Sequence, residues 1–325
     1  MSELHHPQTA DLGLTRRHML KQLAAGSVAL GVAGPSLLLT GCAATASQAT
    51  ATTAASAATD EPSGAVPALN GRVRHSVASW TYAHLSIEEL CQLVKSLGFS
   101  AIDLVGPKDW PTLKKYGIDC SMCNGAEINL VDGWCNPQFH AELIKRYRAH
   151  IDLVADAGYT NLICFSGNAR GMDRETALQH AVAGLSQILP QAEQRGVVLQ
   201  MELFNSKVDH PDYLADSSGF GIELCKRLKS NHFKLLYDIY HMQIMEGDII
   251  RTIQDNHQYF GHYHTAGVPG RHEIDETQEL YYPAIAKAIV VTGFKGYLAQ
   301  EFIPTPATPE GKVQSLADAI RICDV

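Results

Sequence analysis

Positive charge is scarce in this chain. Lys and Arg number 26 against 34 Asp and Glu, the formal net charge is −8, and the cations form no stripe. Such a body repels phosphate backbones, so no nucleic-acid partner is expected. No strand-like run leads into a G-x-G-x-x-G, which removes the phosphate fingerprint of a doubly wound dinucleotide fold. Past residue 42, no apolar run approaches the roughly 20 residues that a spanning helix needs. Cys120 and Cys123 form a C-x-x-C, but no second such pair and no thioredoxin context accompany it. On a regular strand, positions three apart face opposite sides, so these two thiols are expected to point apart and share no metal. Setting Cys42 aside leaves seven of the eight cysteines, an odd number, and no disulfide framework is expected.

What is present falls into three stretches. Thr15-Arg16-Arg17-His18-Met19-Leu20-Lys21 is a twin-arginine motif, followed by a Gly- and Ala-rich apolar segment over 23–39. Leu39-Thr40-Gly41-Cys42 resembles a bacterial lipobox. Residues 1–42 therefore read as an export signal for an already folded protein, with Cys42 lipidated as the first mature residue. The expected place is the periplasm or a membrane surface, the membrane being touched only through the lipid on Cys42. Residues 43–70 are rich in Ala, Thr and Ser, with Pro62, Gly64 and Pro67, and read as a flexible linker. Residues 71–325 hold the apolar periodicity of a single folded domain.

Within that domain, short apolar runs alternate with helical patterns. Strands are expected over 73–79, 101–105, 118–122 and 161–165, and then in four runs that each end on a polar residue. Helices are expected over 86–97, 110–116, 138–157, 174–194, 219–228, 247–256, 280–291 and 311–322. Glycines follow several of the helices, as left-handed caps require. Eight strand–helix units in about 255 residues predict an α/β (β/α)8 TIM barrel.

The last four strands end on Glu202, Asp238, His264 and Glu301, spaced 36, 26 and 37 residues apart. Each gap is about one strand–loop–helix unit, so all four side chains are delivered to the ligand face of the barrel. A lone buried acid is usually a cap or an ion-pair partner, but three converging carboxylates repel one another without a cation. The set suits one divalent metal ion, and three oxygen donors with one nitrogen leave Mn²⁺, Mg²⁺, Co²⁺ or Zn²⁺ open.

The run Tyr237-Asp238-Ile239-Tyr240-His241-Met242-Gln243-Ile244-Met245-Glu246-Gly247-Asp248, together with Pro269-Gly270-Arg271-His272-Glu273, resembles the hydroxypyruvate isomerase-like group of xylose isomerase-like TIM barrels. Met201-Glu202 and Gln300-Glu301-Phe302 support the likeness. The resemblance implies metal ligands at Glu202, Asp238, His264 and Glu301, and substrate contacts at His241 and Arg271. It also implies a sugar isomerase or epimerase that moves a proton through a metal-stabilised enediolate, with Glu202 and Glu301 as acid/base pair. The enteric-type hydroxypyruvate isomerases carry Gln where His264 stands, so at that ligand this chain is nearer the ketose epimerases. They are also cytoplasmic, whereas this chain carries an export signal. A small-molecule sugar or keto-sugar is the expected partner. Two alternatives stand beside this one: a metal-dependent lyase or hydratase acting on 3-keto-sugars or glycosides, and a non-catalytic sugar-binding lipoprotein. Association into a homo-oligomer is left open.

Other residues fall near the same rim. His262 alternates with His264 and should lie one layer deeper, packed beneath the ligands. Trp80 and Tyr82 could wall a sugar site or serve as core. Asn124, Glu127, Asn168 and Arg170 follow the third and fourth strands and face the ligand side.

Overall fold

Polar residues and glycines punctuate the chain from Arg74 onward, and the backbone follows them. The computed structural model describes residues 68–325. Its strands are β1 (Arg74–Val77), β2 (Ala101–Val105), β3 (Asp119–Cys123), β4 (Asn161–Cys164), β5 (Val198–Glu202), β6 (Phe233–Asp238), β7 (Phe260–Thr265) and β8 (Tyr297–Gln300). All pair in parallel, in the order β1-β8-β7-β6-β5-β4-β3-β2, and a bridge from Ala78 to Asp103 joins the two ends. The chain therefore forms the expected (β/α)8 barrel as a single domain. The export signal over 1–42 lies outside the described residues, as does the linker up to residue 67. Asn70, the last residue of the expected linker, hydrogen-bonds Asp324 near the C-terminus through both its backbone N and its side chain. Among the described residues no helix is long and apolar enough to cross a membrane.

The helices are α1 (Ile87–Ser96), α2 (Trp110–Tyr116), α3 (His140–Asp156), α4 (Arg174–Leu185), α5 (Leu189–Arg195), α6 (Ser218–Leu228), α7 (Ile239–Met245), α8 (Ile249–Asn256), α9 (Tyr282–Val291) and α10 (Pro309–Cys323). Helix α1 starts on a capping box in which Ser86 Oγ accepts from Glu89 N while Glu89 accepts from Ser86 N. Two departures from the expected helices have plain causes. The helix expected over 174–194 is broken into α4 and α5. Pro190, in the first turn of α5, has no N–H, and within a continuous helix its ring would press on the carbonyl of Ser186. Helix α7 was not anticipated. It begins without a loop because Asp238, ending β6, is its N-cap and accepts from His241 N at 3.2 Å.

The expectation that the Cys120 and Cys123 thiols point apart also fails. The β2–β3 register slips twice: Ile102 pairs with Cys120, but Asp103 pairs with Met122 and Val105 with Cys123. Leu104, inside the slip, has φ +56°. These irregularities break the alternation of faces and bring the two sulfurs to 3.6 Å. Burial raises the Cys120 thiol well above its ordinary range, so it packs as a neutral thiol.

The lumen beneath the ligand face is polar. Ser76 of β1 and Ser121 of β3 meet through their hydroxyls at 2.6 Å, Ser121 donates to Asp103 of β2 at 2.6 Å, and His262 of β7 lies 3.0 Å from Asp103. These strands are not neighbours in the sheet order, apart from β2 with its two flanking strands, so the contacts cross the barrel interior.

Candidate metal centre

Glu202 is the last residue of β5 and Asp238 the last of β6; His264 is one short of the end of β7, and Glu301 directly follows β8. Parallel register aligns these ends, with Asp238 opposite His264 and Thr265 opposite Gln300. All four side chains are buried, and one ligand atom from each lies within 4.8 Å of the others. His264 Nδ1 is 2.8 Å from Glu301 Oε2 and 3.1 Å from Glu202 Oε1. The second of these contacts is not a well-directed hydrogen bond, so Glu202 Oε1 remains a buried acceptor without a donor. Three carboxylates and an imidazole converging in a buried space, with one oxygen unsatisfied, fit a divalent cation.

The electrostatics of the four follow from their neighbours. Burial, reinforced by the Glu301 charge, pushes the Glu202 carboxyl up to about 8. Burial likewise lifts Asp238 to about 6 against the pull of Arg271. Burial also works to raise Glu301, but His264 and Arg271 outweigh it and hold that carboxyl at about 2. For His264 burial favours the neutral ring, yet Glu301, Asp103 and Glu202 together raise it well above the usual imidazole range.

His241 and Arg271 complete the set read from the sequence. Asn205 Oδ1 accepts from Val208 N and Asp209 N, so its amide nitrogen faces His241 Nδ1, at 2.7 Å. That leaves the proton of the neutral ring on Nε2, which has no hydrogen-bond partner and lies 3.5 Å from Asp238 Oδ2. Burial keeps His241 well below its ordinary range, hence neutral. The Arg271 guanidinium lies between the Trp80 and Tyr240 rings, at 5.3 and 5.4 Å from their centroids, and reaches Glu301 Oε2 at 2.6 Å. Trp80 Nε1 donates to the other oxygen of Glu301 at 2.7 Å, so Trp80 belongs to the site. Tyr82 does not: its hydroxyl donates to Lys312 O and its ring is core.

The remaining rim residues hold loops rather than the centre. Glu127 accepts from Gly125 N, Asn168 donates to Pro211 O, and Arg170 pairs with Asp132. His262 sits one layer down against Asp103, at 3.0 Å. Three residues were missed from sequence. Asn205 orients His241, and a polar residue three positions after a strand-end acid was its only signal. His210 stacks on Phe204 at 4.1 Å and lies 5.3 Å from His241; burial and the Arg271 charge hold it at about 4, so it is a neutral ring near the centre. Asp103 is fully buried and bonds His264 Nε2 at 2.8 Å. A carboxylate inside the apolar run Ala-Ile-Asp-Leu-Val was the signal for it, since a buried charge requires partners.

The sequence model of the xylose isomerase-like TIM barrel family matches residues 91–323. A Drosophila melanogaster protein named "putative hydroxypyruvate isomerase" is 32% identical over 236 residues, covering 70% of this chain and 89% of that one. The 2-oxo-tetronate isomerase of Cupriavidus necator is 33% identical over 120 residues, 37% of this chain and 45% of the relative's length. Among solved structures, the apo 3-keto-D-glucoside 4-epimerase of E. coli superposes with a TM-score of 0.64 at 19% identity, over 77% of this chain and 100% of that one.

Proposed function

The chain belongs to the xylose isomerase-like TIM barrel family, and on that footing we propose that it is a divalent-metal-dependent isomerase or epimerase of a sugar or keto-sugar. The observation that carries this reading is the buried convergence of Glu202, Asp238, His264 and Glu301 on the ligand face. A divalent ion held by these four would polarise the substrate's carbonyl and neighbouring hydroxyl and stabilise the enediolate. The protein's own groups do the rest. Glu301, fixed by Trp80 and Arg271, and Glu202 are the two carboxylates placed to take and return the carbon-bound proton. His241 Nε2–H is free to donate to a substrate oxygen, and Arg271 holds another through its planar fork. Relatives named isomerases and an epimerase of the same fold support this class of reaction.

The test is a screen of free sugars, keto-sugars, glycosides and 2-oxo acids with the metal-loaded protein, followed by NMR in D₂O. Deuterium entering one carbon of a substrate is the expected outcome. Release of an aglycone or of water from the active compound would replace this reading with a lyase or hydratase.

Metal uptake should also release protons. At pH 7 the Glu202 site, at about 8, holds most of a proton, Asp238, at about 6, holds a small share, and His264 is largely protonated. A cation must displace them. Affinity is therefore expected to rise with pH from about 6 to beyond 8, with roughly two protons released per metal near neutrality. Calorimetry in buffers of different ionisation enthalpy reads the number; uptake with no proton release would place the cation elsewhere.

We further propose that the enzyme is exported through the twin-arginine route and tethered by lipid on Cys42. The charged, apolar and lipobox order of residues 15–42 supports this, and it favours an extracytoplasmic sugar over an intracellular 2-oxo acid. Cys42→Ala should leave the leader unprocessed at the lipobox, and Lys at both Arg16 and Arg17 should strand a folded precursor in the cytoplasm. Wild-type protein found soluble in the cytoplasm with its leader intact would end this part of the proposal.

A further inference from the structure

Both carboxylate oxygens of Asp103, in the layer beneath the four ligands, accept hydrogen bonds. Its Oδ1 takes the Ser121 hydroxyl at 2.6 Å and faces His262 Nε2 at 3.0 Å, while its Oδ2 faces His264 Nε2 at 2.8 Å. All four side chains are fully buried. Asp103, His262 and His264 are close enough together to hold a cation themselves. A cation there would have to replace the hydrogen bonds that Asp103 already accepts from Ser121 and His264, whereas Glu202 Oε1 in the upper cluster accepts none. The lower cluster is better suited to support than to ligate.

A neutral imidazole carries one proton, and an ionised carboxylate can only accept. A bound cation displaces one proton from the ring; the His264 nitrogen that faces Asp103 then keeps its N–H, which leaves the lone pair on Nδ1, the nitrogen turned toward Glu202 and Glu301. We propose that Asp103 is a positioning residue that fixes His264 as its Nε2–H tautomer and thereby makes Nδ1 the metal-binding nitrogen. Ser121, itself braced by Ser76, holds the carboxylate from the opposite side. This inference rests on the metal reading above, and carboxylate–imidazole–metal arrangements of this kind commonly raise ligand basicity as well as setting ring orientation.

The test uses the full chain with ¹⁵N-labelled histidine, loaded with Zn²⁺, which is diamagnetic. In the wild type, His264 should show a metal-shifted Nδ1 and an exchange-protected Nε2–H proton. Asp103→Asn keeps the volume but removes the charge, and Asp103→Ala removes the acceptor. Each is expected to weaken Zn²⁺ binding by about 10- to 100-fold in a chelator competition, with the His264 Nε2–H resonance shifted or exchanged away. If Asp103→Ala does not fold, Asp103→Asn decides. Wild-type protein that takes up no Zn²⁺ would defeat the metal reading and this inference together. Wild-type protein that binds Zn²⁺ through Nε2, or an Asp103→Asn variant that binds within about threefold of wild type, would defeat the inference alone.

Discussion

Glu301→Gln and Glu202→Gln are each expected to cut turnover by at least about a thousandfold while the barrel stays folded, because an amide can neither take nor return the proton. The two carboxyls sit where strands deliver side chains to the ligand face, above the packed layers, so their loss leaves the core unchanged. Gln preserves the volume and one oxygen, and Trp80 Nε1 can still donate to that oxygen at position 301. The measurement is deuterium exchange into substrate under single-turnover conditions, beside thermal unfolding of each variant. A variant with full exchange activity would remove that residue from the acid/base pair. Equal loss in both, with each variant still folded at the assay temperature, is the pattern of two groups that act on one proton path.

Arg271→Ala is expected to have the largest effect on stability in the metal-free protein. The guanidinium is almost enclosed, with its side chain 14% exposed, and lies 2.6 Å from Glu301 and 3.7 Å from Asp238. Removing one partner of a buried ion pair leaves an uncompensated charge, at a cost of about 3–5 kcal/mol. In a domain of this size that lowers Tm by roughly 6–20 °C. Arg271→Lys keeps the charge but loses the planar fork and its fit between Trp80 and Tyr240, so it should recover part of the loss. Saturating divalent metal should recover much of it in the Ala variant, since the cation compensates the same carboxylates. A metal-free Arg271→Ala protein that melts within about 2 °C of wild type would show that Glu301 and Asp238 do not depend on this guanidinium.

The residues of the centre were legible because the fold repeats. Once eight strand–helix units are counted, a polar residue at each of four strand ends must face one rim, and Glu202, Asp238, His264 and Glu301 follow from spacing alone. His241 and Arg271 came instead from the likeness of their surroundings to a family, and the structure places both beside the carboxylates. The break at Pro190 was also written in the sequence, since proline cannot occupy a helix interior, but a continuous apolar pattern over 174–194 masked it. Helix α7 was hidden for the opposite reason: Asp238 ends a strand and caps a helix at once, leaving no loop to mark the change.

Asp103 and the two close thiols belong to another class. Their directions depend on where β2 and β3 slip past each other, and a bulge reverses the faces of all that follows it. Local periodicity contains no term for such a slip, which is set by how the barrel closes through the Ala78–Asp103 bridge and by packing in the lumen. The sequence by itself therefore determined the barrel and the convergence of Glu202, Asp238, His264 and Glu301 on one rim, because both rest on period and spacing. Only the tertiary structure decided which groups lie beneath those side chains and which nitrogen of His264 faces the carboxylates, because those depend on contacts across the barrel between strands far apart in the chain.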